Sequence, residues 1–139
     1  MTSKPGQKPA GQVPTPGLRK FVIYHNPRCT KSREALDRLR KAGVEPKIVE
    51  YLKTPIQPID LDRLLKQMGM LPEKLVRRDE ERFIDLELDI KPPKSRNAWV
   101  KILADNPVLI ERPIITDGTR TVLGRPLENV DKLFIPVKA

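Results

Sequence analysis

Two hydrophobic rhythms alternate along the first half of the chain. Lys20-Phe-Val-Ile-Tyr24 is a short β-branched and aromatic run, which predicts a buried strand. His25-Asn26-Pro27-Arg28 then reads as a turn. From Thr30 to Ala42 the apolar positions Ala35, Leu36, Leu39 and Ala42 follow the 3.6-residue period of a helix, which Gly43 closes. Lys47-Ile-Val-Glu-Tyr-Leu52 predicts a second strand, broken by Thr54-Pro55. Ile59, Leu61, Leu64, Leu65 and Met68 mark a second helix that ends at Gly69.

Strand–helix–strand–helix implies a parallel βαβ unit with a right-handed crossover. Residues 71–106 carry no strand pattern. They predict a short segment over Leu71–Arg78, an irregular stretch around Phe83–Leu88, the break Pro92-Pro93, and a helix carrying Trp99, Ile102 and Leu103. Arg112-Pro-Ile-Ile-Thr116 predicts a strand, Asp117-Gly118 a hairpin turn, and Thr121-Val-Leu123 its return. A final helix over Leu127–Phe134 follows Arg125-Pro126. The order β-α-β-α, then helices, then β-β-α, predicts an α/β fold: a thioredoxin-like mixed sheet with a helical insertion.

Composition bounds this picture. Of 139 residues, 40 are Leu, Ile, Val or Phe, enough for the packed core of one domain. Residues 1–17 hold four prolines and three glycines with almost no bulky apolar side chain, so they are expected to be a disordered tail, leaving 18–139 as the domain. That tail lacks the apolar stretch of a secretory leader, and no apolar run approaches the ~18 residues of a membrane span. One cysteine and one histidine exclude an internal disulfide and a four-ligand zinc site of those residues. A reducing, cytoplasmic setting is the expectation. The net charge is +9, of which +4 lies within the first 20 residues. The rest is a weak surplus without interleaved aromatics, so nucleic acid is not an expected partner.

The single cysteine, Cys29, stands where the first strand gives way to the first helix. Unpaired first-turn N–H groups and the helix dipole favour an anion there, and Arg28, Lys31 and Arg33 are neighbours in sequence. An unshifted thiol is about 10% ionised at pH ~7.5, whereas a drop of about two units makes it roughly 90% thiolate. The competing reading is an inert buried cysteine. Ser32 takes the position of the second thiol in a Cys-x-x-Cys pair, so any thiol chemistry must finish with a thiol from elsewhere. Its hydroxyl either donates to the thiolate or caps the helix start. His25, four residues before Cys29, would stabilise the thiolate as a cation, accept its proton when neutral, or simply bond turn backbone.

His25-Asn-Pro-Arg-Cys29-Thr-Lys-Ser32-Arg33 resembles the active-site segment of the glutaredoxin-linked arsenate reductase (ArsC) family. Leu75-Val-Arg77, Leu109-Ile-Glu-Arg112-Pro-Ile and Leu123-Gly-Arg125-Pro resemble that family's other motifs, in order, and the likeness covers about residues 20–135. It implies a thioredoxin-like fold and a cytoplasmic reductase of arsenate to arsenite. No cofactor is implied to be tightly bound; glutathione would be the co-substrate and glutaredoxin the partner. By the same resemblance Cys29 is the nucleophile, His25 helps keep it ionised, and Arg77, Arg112 and Arg125 hold the oxyanion. Arg78, adjacent to Arg77, competes with it for the inward position. Arg112-Pro113 resembles the cis-proline site of thioredoxin-like folds. Thr30-Lys31 departs from the small glycine-containing turn common after the nucleophile in characterised members. Two other functions fit related sequences: an Spx-like regulator that binds RNA polymerase, and glutathione-linked thiol chemistry that does not act on arsenate.

Overall fold

The computed structural model describes residues 19–89 and 94–134. The expected tail over 1–17 and the Pro92-Pro93 break lie outside the described residues. Four strands form one mixed sheet, β1 (Val22–His25), β2 (Lys47–Glu50), β3 (Ile114–Thr116) and β4 (Thr121–Leu123), in the order β2-β1-β3-β4. β1 runs parallel to β2, with Ile23 opposite Ile48, and antiparallel to β3, with Ile23 opposite Ile115. β3 and β4 form the antiparallel hairpin, with Ile115 opposite Val122. The helices are α1 (Thr30–Lys41), α2 (Pro58–Met68), α3 (Glu81–Asp85) and α4 (Arg96–Asp105).

Alternation along the strands divides the core between the two sheet faces. Ile23 and Ile115 turn to one face, packing with Ala35, Leu36 and Leu39 of α1 and with Val130 and Leu133. Ile114 turns to the other, against Leu64 and Leu65 of α2 and Trp99 and Leu103 of α4. The mixed α/β architecture with a helical insertion is therefore as expected. No helix among the described residues is long and apolar enough to cross a membrane.

Several boundaries differ from the sequence reading, each for a physical reason. β1 starts at Val22 rather than Lys20 and extends to His25, whose Cα pairs with Glu50. β2 stops at Glu50, where Lys53 and Thr54 N–H groups donate to the Glu50 carbonyl and turn the chain, so Tyr51 and Leu52 leave the strand. β3 begins at Ile114, because Pro113 has no N–H to give a ladder; the Arg112–Pro113 peptide is cis, as the resemblance to the cis-proline site implies. The last helix is of 3-10 type over Leu127–Phe134. Leu127, Val130 and Leu133 recur every three residues and so line one side of a three-residue turn. The Leu71–Arg78 segment reduces to a 3-10 turn over Pro72–Leu75 followed by an isolated antiparallel bridge, Val76 to Ile110.

Gly124 shapes the end of the hairpin. A Cβ there would lie 2.8 Å from Pro113 Cγ and 3.1 Å from Ile115 Cδ1. Its N–H donates to the Pro113 carbonyl at 2.8 Å. Only a residue without a side chain lets β4 close onto Pro113, and that closure brings Arg125 beside Arg112.

Candidate active site

Strand β1 delivers the chain to a tight turn at one edge of the molecule. Cys29 N–H donates to the Asn26 carbonyl at 2.9 Å, and Arg28 N–H to the Asn26 side-chain carbonyl at 3.0 Å. Cys29 is the N-cap of α1 with extended backbone (φ −97°, ψ 121°) and makes no side-chain cap bond. Its side chain is therefore presented to the first-turn amides, and the residue is buried. Burial pushes the thiol up. The Ser32 N–H, the Arg112 guanidinium by hydrogen bond and charge, and the Lys31 N–H outweigh it, leaving the thiol below its ordinary range.

The cations that act on the sulfur are distant in sequence. Arg125 Nη2 lies 3.6 Å from Cys29 Sγ, while Arg125 Nε donates to the Arg112 carbonyl at 2.6 Å. The Arg112 side chain is largely buried, and its Nε and Nη1 have no hydrogen-bond partner among the described residues. The nearby charges expected from sequence are spent elsewhere. Arg33 braces the turn through the Pro27 carbonyl and the Thr30 hydroxyl, Lys31 pairs with Glu34 in solvent, and Arg28 is exposed. Of these, only Lys31 reaches the sulfur, through its amide.

Arg77 is placed by the Val76–Ile110 bridge, flanked by Arg77 N–H to the Leu109 carbonyl (2.7 Å) and Glu111 N–H to the Leu75 carbonyl (2.8 Å). Its side chain is one-fifth exposed, whereas Arg78 is exposed, so Arg77 is the inward member of the pair. Arg77 pairs with Glu80 at 2.8 Å and approaches Glu111 at 3.8 Å. Glu111 Oε1 also lies 3.5 Å from Arg125 Nε and 3.9 Å from Arg112 Nη1. One carboxylate thus sits among all three arginines.

His25 and Ser32 form a separate, supporting pair. His25 Nδ1 and Ser32 Oγ share a hydrogen bond at 2.6 Å, and the same hydroxyl accepts the Asn26 N–H at 3.0 Å. Burial, with Arg40 and Arg33, lowers the imidazole's pKa against the opposing pull of Glu50, which favours the neutral ring. Among the described residues His25 makes no hydrogen bond to Cys29. The Ser32 hydroxyl bonds His25 and accepts the Asn26 N–H before the helix start, and the backbone N–H of Ser32 is the group that faces the sulfur.

The sequence reading gives Glu111, Asn26 and Tyr51 no part in the site. Glu111 lies inside the Leu109–Pro113 motif, where an acid beside an arginine looks like a local ion pair. Asn26 was readable from Asn-Pro, a turn-forming pair. Tyr51 carried no signal beyond its strand pattern; it is buried, and burial pushes its phenol up to about 12. Arg112, Arg77, Cys29 and Glu111 all act on that phenol electrostatically. No group of three or more His, Cys, Asp or Glu among the described residues could hold a metal ion. The arrangement offers a nucleophilic sulfur and convergent guanidinium forks, a combination suited to holding a small tetrahedral anion against the sulfur.

Comparison with known proteins agrees in extent and order. The sequence pattern of the ArsC family matches residues 24–133. An Escherichia coli (strain K12) protein, YfgD, described as uncharacterized, is 44% identical over 113 residues, which is 81% of this chain and 94% of that protein. An arsenate reductase of Neisseria meningitidis serogroup A is 36% identical over 118 residues, 84% of this chain and all of that protein. The solved structure of an arsenate reductase from Vibrio cholerae superposes with a TM-score of 0.77 at 37% identity, covering 83% of this chain and 98% of that one.

Proposed function

The chain belongs to the ArsC family, and from that premise we propose that it reduces arsenate to arsenite through a covalent adduct on Cys29. The observation that carries this reading is the meeting of Cys29 with Arg125 and Arg112 at the start of α1. Arg112, with two buried donors that lack a hydrogen-bond partner among the described residues, Arg125 and Arg77 would grip the oxyanion by charge-assisted hydrogen bonds. The Cys29 thiolate attacks arsenic(V), a sulfur–arsenic bond forms, and an arsenate oxygen leaves as water after gaining protons. Arsenic is still pentavalent at that point.

Two electrons must then come from outside, since the chain has no second thiol. Glutathione sulfur displaces another oxygen from arsenic as water. A glutaredoxin thiolate attacks that glutathione sulfur, forming the mixed disulfide and leaving the bonding electron pair on arsenic, which becomes arsenic(III). Water releases arsenite and returns the Cys29 thiol. The glutathione in this scheme places the protein in a reducing, cytoplasmic setting. His25 acts as a positioning residue here: it holds the Ser32 hydroxyl and the Asn26 turn, and so keeps the Ser32 amide on the sulfur.

Arsenite production in the presence of glutathione and glutaredoxin tests the proposal. The wild type forms arsenite, and Cys29→Ser, which exchanges the nucleophilic sulfur for a weakly acidic hydroxyl, forms none above the protein-free background. Undiminished production by Cys29→Ser overturns it.

A further inference from the structure

The proposed pocket contains a negative charge of its own. Glu111 Oε1 stands 3.5, 3.8 and 3.9 Å from nitrogens of Arg125, Arg77 and Arg112, the side chains assigned above to the oxyanion. These distances are those of ion pairs rather than hydrogen bonds, so the carboxylate's lone pairs are not taken up by the guanidinium N–H groups. Arg125 Nε gives its proton to the Arg112 carbonyl, and Arg112 Nε and Nη1 give theirs to no partner among the described residues. The cluster therefore offers an anion two kinds of group side by side: unspent donors and an unspent acceptor. The Glu111 side chain is about one-quarter exposed, so its charge is only partly screened by solvent.

Resting on the oxyanion reading, we infer that Glu111 is a specificity-determining residue, which makes the pocket select tetrahedral oxyanions that still carry a hydroxyl. Arsenate and phosphate retain a proton near neutral pH. Their O–H donates to the Glu111 carboxylate while their other oxygens accept from the arginines. Sulfate has no proton to give. It would bring its oxygens against the carboxylate with nothing between them, leaving two like charges in contact and an acceptor unsatisfied. A site built around a ligand hydroxyl rejects the analogue that lacks it far more strongly than size alone permits. The local structure fixes Glu111 for this task. Its N–H is held by the Leu75 carbonyl beside the Arg77 bridge, and the carbonyl of the next residue, Arg112, accepts from Arg125 Nε, so Glu111 stands between that bridge and the Arg112–Arg125 pair.

The test is calorimetric binding of arsenate, phosphate and sulfate to full-length Cys29→Ser, which removes turnover, and to the same chain carrying Glu111→Gln. That second substitution keeps the side chain's shape and removes its charge. In Cys29→Ser, arsenate and phosphate bind alike and at least about tenfold more tightly than sulfate. Adding Glu111→Gln tightens sulfate about tenfold or more and brings the three anions within about threefold of one another. Equal tightening of all three anions, or an unchanged ratio, overturns the inference while leaving the oxyanion pocket standing. Absence of binding for every anion in both proteins overturns the pocket as well.

Discussion

Arg125→Met removes the guanidinium whose Nη2 lies 3.6 Å from Cys29 Sγ and leaves a stem of similar shape. Two unit charges about 4 Å apart interact by about 1 kcal/mol at the dielectric of water and about 4 kcal/mol at an effective value near 20. Cys29 is buried, but 35% of the Arg125 side chain is exposed. Solvent screening therefore sets the pair toward the lower end, about 1–2 kcal/mol. Losing that attraction should raise the thiol pKa in the variant. It should not return fully to its ordinary value, because Arg112 and the amides of Ser32 and Lys31 still favour the thiolate. Ultraviolet thiolate absorbance against pH measures this directly, as Cys29 is the chain's single cysteine. Tyrosine ionisation does not intrude: burial pushes Tyr51 up to about 12 and also raises Tyr24. A thiol pKa that is unchanged or lower in Arg125→Met refutes the reasoning.

Three further outcomes follow from the same geometry. Burial, with Arg40 and Arg33, depresses the imidazole of His25, so the one histidine resonance in a proton NMR titration should have its midpoint below the usual ~6.5. The unfolded chain then takes up that proton first. Stability from this group is fully present above pH ~6.5 and lost as pH falls through the folded pKa, and His25→Gln removes that loss in urea unfolding. Gly124→Ala drives a methyl to 2.8 Å from Pro113 Cγ. It should cost about 1–3 kcal/mol, read as a melting temperature lower by several degrees, together with slower arsenite formation; an unchanged melting temperature argues against the close packing. Arg77→Leu should lower kcat/KM for arsenate about 10–100-fold through loss of charge-assisted hydrogen bonds, with Arg78→Leu within about threefold of wild type. Equal losses in the two would contradict the inward placement of Arg77.

Where the sequence was informative, local physics decided the structure. The β-branched run before His25, the 3.6-residue spacing of Ala35, Leu36 and Leu39, and the turn between them fix the strand–turn–helix that holds Cys29, and they do so without distant contacts. Features set by long-range pairing were not legible in the local pattern, and Arg112 and Arg125 came to the site only through the family resemblance. Choosing Arg77 over Arg78 depends on the Val76–Ile110 bridge, which spans more than thirty residues. The charges expected on the sulfur were those adjacent in sequence. Arg28 in the preceding turn and Arg33 in the first turn of α1 are instead exposed, and Arg112 and Arg125 arrive from the two ends of the β3–β4 hairpin. The final helix reads equally well at three or 3.6 residues per turn over so short a span, and its burial on Val130 and Leu133 selects the tighter form. The lowered pKa of His25 follows from burial, which its place beside a polar turn did not signal.

The central claim is that Cys29, although buried, is a nucleophile held ionised against an anion pocket. The pH dependence of Cys29 alkylation by iodoacetamide, with and without saturating phosphate, tests it most directly. The expected profile has its midpoint below the ordinary thiol value of about 8.5, and phosphate slows the reaction by occupying the space before the sulfur. A midpoint at or above that value, or a rate that phosphate leaves unchanged, would contradict the account.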